Sequence, residues 1–319
     1  MLTVMKEQQI QEIELLLEKV QKTYYNGKLQ ETFELLEKGE SLVNKEGFQY
    51  YLKTQFYLQC CEILVTSGFL EKRSFDSVAG KLQICDSLIQ NNQSLDYARL
   101  CIQYAIAWNY KPVSDSGEKI GNQNVAIDYI IKAIEILENI REPKYLSIAY
   151  FYRGRFFEKV NQFEEAKKWY SNSYHLAKNT NNSIERSFAG RHLGILEMKI
   201  GDPEEAERLL TESLKLRDET GFRIGIPFSI LSLGDLNIRK QDYQKALEFY
   251  KTGYEAATDI GIKNAQAIGS ISIGRTYIRL NLFQKAIPYL EKGIGIAEEL
   301  NNQELALLGK KTLETRSVD

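Results

Sequence analysis

The sequence predicts an all-α protein, a right-handed solenoid of about seven helical hairpins followed by a C-terminal capping helix. Three observations support this fold class: a 40-residue period, two columns of residues that end helices, and apolar stripes with helical spacing. The period is visible in two columns of small residues, Gly154, Gly194, Gly234 and Gly274, and then Ala166, Ala206, Ala246 and Ala286. Such a period is typical of repeat proteins, in which each unit buries its apolar face against its neighbours.

Two further columns divide every 40-residue unit into two helices. They are occupied mostly by residues that tolerate the left-handed backbone at the end of a helix. The first column is Asn161, Gly201, Gln241 and Asn281, and the second is Asn181, Gly221, Gly261 and Asn301. The units are expected to begin near Ser147, Ser187, Pro227 and Ala267. In the third unit Ile230, Leu233 and Gly234 recur at helical spacing, and the glycine leaves a gap where another backbone can approach.

Over residues 147–300 the units resemble the tetratricopeptide repeat family. The family pattern that these units resemble is a small residue late in the first helix (helix A), an aromatic residue after the turn, and then Ala-x3-aromatic-x2-small in the second helix (helix B). The residues that carry it are Gly154/Phe163/Ala166/Tyr170/Ser173, Gly194/Pro203/Ala206/Leu210/Ser213, Gly234/Tyr243/Ala246/Tyr250/Gly253 and Gly274/Phe283/Ala286/Leu290/Gly293. The usual unit has about 34 residues, so the 40-residue unit resembles the long subset found in cytoplasmic scaffolds and bacterial peptide-pheromone receptors.

The rest of the chain is expected to continue the same single domain. Residues 1–92 form two degenerate hairpins in this interpretation, turning at Asn26-Gly27 and Ser67-Gly68. Residues 93–141 form a hairpin with a loop insertion at 111–124, and residues 301–319 form a capping helix and tail. The insertion is rich in turn-forming residues, and we expect it to be more mobile than the tight turns.

Two residues depart from the repeat pattern. Pro288 falls inside a predicted helix B, where its missing N–H should remove one backbone hydrogen bond and kink the helix. Arg153 occupies a position that is apolar in the three later units, and it is a candidate docking point for the 111–124 insertion.

Composition and charge exclude several function classes. The formal net charge of -2 gives no general attraction to nucleic acid or to an anionic membrane. No stretch approaches the roughly 18 apolar residues of a membrane span, and no apolar signal core follows Met1, so a cytoplasmic protein is predicted. The four cysteines have neither zinc spacing nor a CxxC pair, and they are interpreted as small buried hydrophobic residues.

Catalytic patterns are sparse. The two histidines, His175 and His192, lie on different predicted helices without a metalloprotease or nucleophile motif, and no glycine-rich phosphate loop is present. The acidic pairs at Glu164-Glu165 and Glu204-Glu205 fall in the first turn of helix B, where carboxylates offset the positive helix end. The sequence therefore predicts no enzyme activity, no catalytic residue, no metal and no cofactor.

Helix A of each unit is expected, from the resemblance, to line a concave groove, and that groove is the predicted ligand-binding surface. Helical spacing places one stripe of side chains on it. The candidate ligand-binding residues are Tyr152, Arg155, Lys159, Phe188, His192, Lys199, Phe228, Asp235, Arg239, Arg275 and Arg279. Two alternatives remain open at this point: basic residues in the last turn of a helix also complement its dipole, and the apolar positions also suit packing between repeats.

The function that these observations favour is a non-catalytic module that binds a peptide or a partner segment with acidic and apolar side chains. Two alternatives stand beside it. One is a bacterial peptide-pheromone receptor without a DNA-binding domain, since residues 1–45 show no helix-turn-helix pattern. The other is an oligomerisation scaffold, for which the 19 tyrosines and 14 phenylalanines would supply surface, and a homodimer is therefore left open.

Overall fold

The computed structural model describes residues 2–45, 47–67, 75–110 and 119–314, and these are almost entirely helical. In the part of the chain that is described there are fifteen α-helices, one short 3-10 helix and no β-strand. The helices pair as seven successive hairpins and one final helix, so the predicted all-α hairpin repeat is confirmed.

The protein divides into two compact units, with the boundary between Glu185 and Arg186. The first unit contains four hairpins, whose A helices have odd numbers and whose B helices have even numbers. Its helices are α1 (Leu2–Tyr25), α2 (Leu29–Val43), α3 (Tyr50–Ser67), α4 (Phe75–Leu88), α5 (Leu95–Tyr110), α6 (Lys119–Asn139), α7 (Pro143–Lys159) and α8 (Phe163–Asn179). Neighbouring A helices pack together along this unit, as α1 with α3, α3 with α5, and α5 with α7.

The second unit contains the remaining three hairpins and the capping helix. Its helices are α9 (Ser183–Ile200, which begins just before the boundary), α10 (Pro203–Glu219), α11 (Ile226–Arg239), α12 (Tyr243–Asp259), α13 (Lys263–Arg279), α14 (Phe283–Glu299) and α15 (Gln303–Glu314). A 3-10 turn at Arg223–Gly225 precedes α11. Helix α15 covers α14, and Ala306 and Gly309 are buried there. The A helices α11 and α13 pack directly against each other.

Seven of the eight predicted helix-ending residues adopt the left-handed backbone. Their φ values lie between 55° at Asn181 and 75° at Gly261. Gly201 is the exception. Its amide donates to the Glu197 carbonyl, while the amide of Asp202 donates to the Glu197 carboxylate at 3.1 Å. A side chain on Gly201 would collide with that carboxylate, so this glycine provides space rather than a left-handed turn.

The periodic glycines make room for a side chain of their own hairpin. A Cβ on Gly234 would lie 2.5 Å from the ring of Tyr250, and one on Gly274 would lie 2.5 Å from Leu290. The atom that enters the gap comes mainly from a helix B side chain, whereas the sequence suggested an approaching backbone. The paired alanines of helix B are fully buried, as expected for a packed seam.

Two local expectations need correction. Helices α7, α9 and α13 begin four residues earlier than the unit starts that the sequence suggested. Of the expected loop insertion, residues 119–124 belong to α6, and residues 111–118 lie outside the described part of the chain. Pro288 lies inside helix α14, as expected, and the kink stays a prediction. Arg153 packs over the ring of Trp169 at 4.2 Å.

The cysteines lie in the core of the first unit, as expected. All four are buried, and the sulfur atoms of Cys61 and Cys85 are 3.9 Å apart without a disulfide. Burial raises the pKa of Cys60, and also raises the pKa of Cys101 to about 12, so both thiols are protonated at neutral pH.

Candidate functional site

The predicted site residues of the second unit lie on its A helices, α9, α11 and α13. The surface they form is called here the A-helix surface, and it carries Phe188, His192, Lys199, Phe228, Asp235, Arg239, Arg275 and Arg279. Its basic residues Lys199, Arg239 and Arg279 stand in the last turn of their helices. Periodic helix ends thus bring positive charge to the same end of each A helix.

Asp235 is the acidic residue at the centre of this surface. Its carboxylate accepts a hydrogen bond of 2.6 Å from the Tyr250 hydroxyl, which comes from helix B of the same hairpin. Burial raises the pKa of Asp235, although Tyr250 and the positive charges of Arg191, Arg275 and Lys199 oppose the rise. Burial, and next the Asp235 carboxylate, also raise the pKa of Tyr250, so the hydroxyl stays a donor.

Three arginines of this surface have no carboxylate partner among the described residues. Arg239 forms no hydrogen bond or ion pair there, Arg275 influences Asp235 without forming a salt bridge, and Arg279 lies over the Tyr243 ring at 5.8 Å. Other basic residues of the same unit are neutralised by glutamates. Salt bridges join Lys240 to Glu207, Lys263 to Glu299, Arg208 to Glu205 and Lys310 to Glu298. The A-helix surface therefore keeps a basic potential.

Packing occupies the other end of the surface. Phe188 stacks edge-on against Phe222 at 5.3 Å and covers the guanidinium of Arg217, whose carbon is 5.0 Å from the ring centre. His192 is buried, and its Nε2 lies 3.4 Å from Nη1 of Arg191. Packing within its own repeat thus accounts for Phe188, and packing between repeats stays a prediction for this residue, while Phe228 is half-buried.

Sequence reasoning missed two arginines beside this surface. Arg191 donates to the Phe228 carbonyl at 3.0 Å and to the Ser232 hydroxyl at 2.9 Å, which ties α9 to α11. Arg217 is 2% exposed and donates to the Ser187 hydroxyl and the Gly225 carbonyl. Burial, and then the nearby Arg191, lower the pKa of Arg217. Neither residue falls in the predicted stripe, and no signal in one sequence distinguishes them from surface arginines.

In the first unit the three predicted ligand residues contact the protein itself. Arg155 pairs with Glu158 at 2.9 Å within α7, and Lys159 donates to the backbone carbonyl of Asn109 on α5. Tyr152 packs against Phe151 with ring centres 5.1 Å apart. Lys159 therefore connects two A helices, a role that is not visible in the repeat pattern.

A polar network that the sequence did not suggest links three A helices of the first unit, α3, α5 and α7. Arg99 of α5 donates to Glu62 and to Gln55 of α3, and its guanidinium lies 5.1 Å from the ring centre of Tyr145 on α7. Gln55 also donates to both oxygens of Asp96 at 2.9 Å. Close by, burial raises the pKa of Glu185 to about 7, although the charge of Lys144 lowers it.

Metal and membrane sites are not found in the described residues. No group of three His, Cys, Asp or Glu side chains there could hold a metal ion. Within the same residues, no helix is both long enough and apolar enough to cross a membrane.

The fold and the repeated hairpins define a helical-repeat protein. Within that class, models of the tetratricopeptide repeat family match residues 187–259 and 271–300, so these residues are similar to tetratricopeptide repeats. No curated protein sequence matches the chain.

Solved structures with the same fold have low sequence identity. A Rap protein complexed with competence and sporulation factor matches with a TM-score of 0.66 and 16% identity, covering 96% of this chain and 87% of that chain. NprR in complex with its cognate peptide NprX matches with a TM-score of 0.58 and 13% identity, covering 93% and 82%. Aspartyl phosphate phosphatase F from Bacillus subtilis matches with a TM-score of 0.56 and 13% identity, covering 94% and 79%.

Proposed function

We propose that this protein is a non-catalytic binding module whose A-helix surface in the second unit holds a peptide or a segment of a partner protein. The observation that carries the proposal is the set of three arginines without carboxylate partners, Arg239, Arg275 and Arg279. Cations without a carboxylate partner attract a counter-charge, and acidic side chains of a ligand would supply it. Half-buried Phe228, in the first turn of α11, offers an apolar contact at the opposite end of this helix from Arg239.

Two of the structures with this fold are complexes, a Rap protein with competence and sporulation factor and NprR with its cognate peptide NprX. They support a peptide as the ligand and keep the bacterial peptide-pheromone receptor as a second candidate. Another structure with this fold is an aspartyl phosphate phosphatase. Purified protein should show no phosphatase activity if the non-catalytic proposal holds. An oligomerisation scaffold is the third candidate, and elution as a monomer with saturable peptide binding would exclude it.

Charge reversal tests the proposal. Binders are first selected from a displayed library of random heptapeptides, and their affinity for the wild type is measured by fluorescence anisotropy. Each charge-assisted hydrogen bond contributes about 1.5–3 kcal/mol, and about 1.4 kcal/mol is tenfold in affinity. The double variant Arg239→Glu/Arg279→Glu should therefore bind the selected peptides more than tenfold more weakly.

The matched control is Lys240→Glu/Lys263→Glu, which makes the same change of charge on residues already paired with glutamates. It should leave peptide affinity within about twofold of the wild type, since these pairs are exposed. If the arginines serve only the helix dipole, the first double variant will instead lose melting temperature and keep its affinity. That result, or the absence of any selected peptide, would contradict the proposed function.

A further inference from the structure

The Asp235 carboxylate has an unusual environment for an acidic residue on a basic surface. Its one hydrogen bond within the described residues comes from Tyr250 at 2.6 Å. Arg191, Arg275 and Lys199 are close enough to affect its charge, yet none forms a salt bridge with it. The acid thus lies near three cations without pairing directly with any of them. The other carboxylate oxygen of Asp235 accepts no hydrogen bond from any of the described residues.

The position of Tyr250 depends on the repeat architecture. Its ring passes the gap left by Gly234, where an added Cβ would be 2.5 Å from the ring. The equivalent residue of the first regular repeat, Tyr170, passes Gly154 in the same way and donates to Glu158 at 2.6 Å. In the second and fourth repeats a leucine fills the gap. In both repeats that have a tyrosine, its hydroxyl therefore holds a carboxylate of helix A.

This arrangement has a clear consequence for recognition. A hydroxyl that donates to one carboxylate oxygen limits the rotation of the Asp235 side chain and leaves its other oxygen as an acceptor. A ligand that is only anionic would be attracted by Arg275 and repelled by Asp235. A ligand with a hydrogen-bond donor next to a carboxylate could pair with Asp235 and Arg275 at the same time. Ligands that leave either group unpaired would bind more weakly, because an unpaired polar group at a binding site costs free energy.

We propose, on the basis of the function proposed above, that Asp235 is a specificity-determining residue and that Tyr250 is its positioning residue. Asp235 accepts a hydrogen bond from an N–H donor of the bound peptide, while Arg275 attracts an adjacent carboxylate. The site thereby selects a peptide with a donor beside an acidic side chain and disfavours polyanions. The donor of the peptide is either a basic side chain or a main-chain N–H. These two sources predict different retention of the peptide pools described next.

The test uses three pools of labelled, N-terminally acetylated hexapeptides. Each pool is random except for a central pair, which is Glu-Lys, Glu-norleucine, or Glu-norleucine with its linking amide N-methylated. A basic donor predicts that the wild-type protein retains Glu-Lys peptides about tenfold better than Glu-norleucine peptides. A main-chain donor predicts equal retention of these two and about tenfold poorer retention of the N-methylated pool. Equal retention of all three pools would overturn the inference.

Substitutions at Asp235 and Tyr250 test whether these residues cause the discrimination between peptide pools. Asp235→Asn can still accept from Tyr250 but loses its charge and presents an amide, so it should abolish the discrimination between pools. Tyr250→Phe should reduce the discrimination at least threefold. Tyr170→Phe is the matched control, since it removes a similar hydrogen bond in the first unit, and it should leave the discrimination unchanged.

Two outcomes separate the inference from the proposed function. If the wild type binds peptides and Asp235→Asn keeps the same ranking of pools, the inference is wrong and the peptide-binding function stands. If no pool and no library peptide binds the wild type, the proposed function itself fails. Circular dichroism of each variant verifies that a lost preference does not reflect unfolding.

Discussion

At the scale of single residues, the periodic glycines explain how two helices pack at close range. Gly234 lets the Tyr250 ring lie against the backbone of α11, and Gly234→Ala would place a methyl group 2.5 Å from that ring. Overpacking of this kind costs about 1–3 kcal/mol. We therefore expect Gly234→Ala to lower the free energy of unfolding by that amount in chemical denaturation.

The control for this prediction is another helical glycine. A Cβ on Gly295 in α14 would meet no atom within 4 Å, and the residue is exposed. Gly295→Ala should raise stability by up to about 1 kcal/mol, because alanine favours the helix over glycine. Equal effects of the two substitutions would show that packing against Tyr250 does not require the glycine at position 234.

At the scale of elements, the ends of the helices follow their sequence, while Pro288 opposes its helix. Helix α14 contains this exposed proline in its interior, where it has no N–H to donate to the Gln284 carbonyl. Pro288→Ala supplies that donor. We expect the variant to gain up to about 3 kcal/mol of stability, and to slow amide hydrogen exchange within α14 as measured by mass spectrometry.

Pro203 is the matched control for Pro288. It stands at the first position of α10, after the Asp202 cap. An N–H at that position has no partner within the helix, so Pro203→Ala should change stability by less than about 0.5 kcal/mol. If Pro288→Ala also leaves stability unchanged, the helix around position 288 already compensates for the missing hydrogen bond.

At the scale of the whole molecule, the net charge is small, and local groups rather than the total charge determine the response to pH. Burial, with Glu62 adding to it, raises the pKa of Glu185 from its ordinary 4.5 to about 7, while its own backbone N–H, Lys144 and Asn182 oppose the rise. A folded-state pKa above the unfolded value favours the protonated, folded form. The resulting stability is therefore fully present below pH 4.5 and is lost as pH rises through 7.

The pH dependence of unfolding provides the measurement. Relative to Glu185→Gln, the wild type should lose about 1–3 kcal/mol between about pH 4.5 and 8, since each pKa unit corresponds to about 1.4 kcal/mol. Glu164→Gln, at an exposed glutamate of the same unit, is the control and should track the wild type. Parallel curves for the wild type and Glu185→Gln would mean that Glu185 ionises normally in the folded protein.

The helix ends and the repeat could be predicted from the amino-acid sequence, because both depend on neighbours within a few positions. Asn161, Gln241 and Gly261 mark helix ends because the turn after a helix needs a residue with a left-handed backbone, which depends on local sequence. Seven of the eight residues in these columns adopt that conformation. The 40-residue period also located the small residues of the tight contacts, since helical spacing alone decides which residues share a face.

The pairing of polar groups, in contrast, became visible in the tertiary structure. Tyr250 reaches Asp235, Lys159 reaches Asn109 of another hairpin, and Arg217 is buried under Phe188. Each contact joins residues that are 15 to 50 positions apart. Long polar side chains can adopt many rotamers, and packing between helices selects one of them. The repeat pattern therefore predicts the surface on which a ligand site can form, and the three-dimensional contacts show which of its charges remain without a partner.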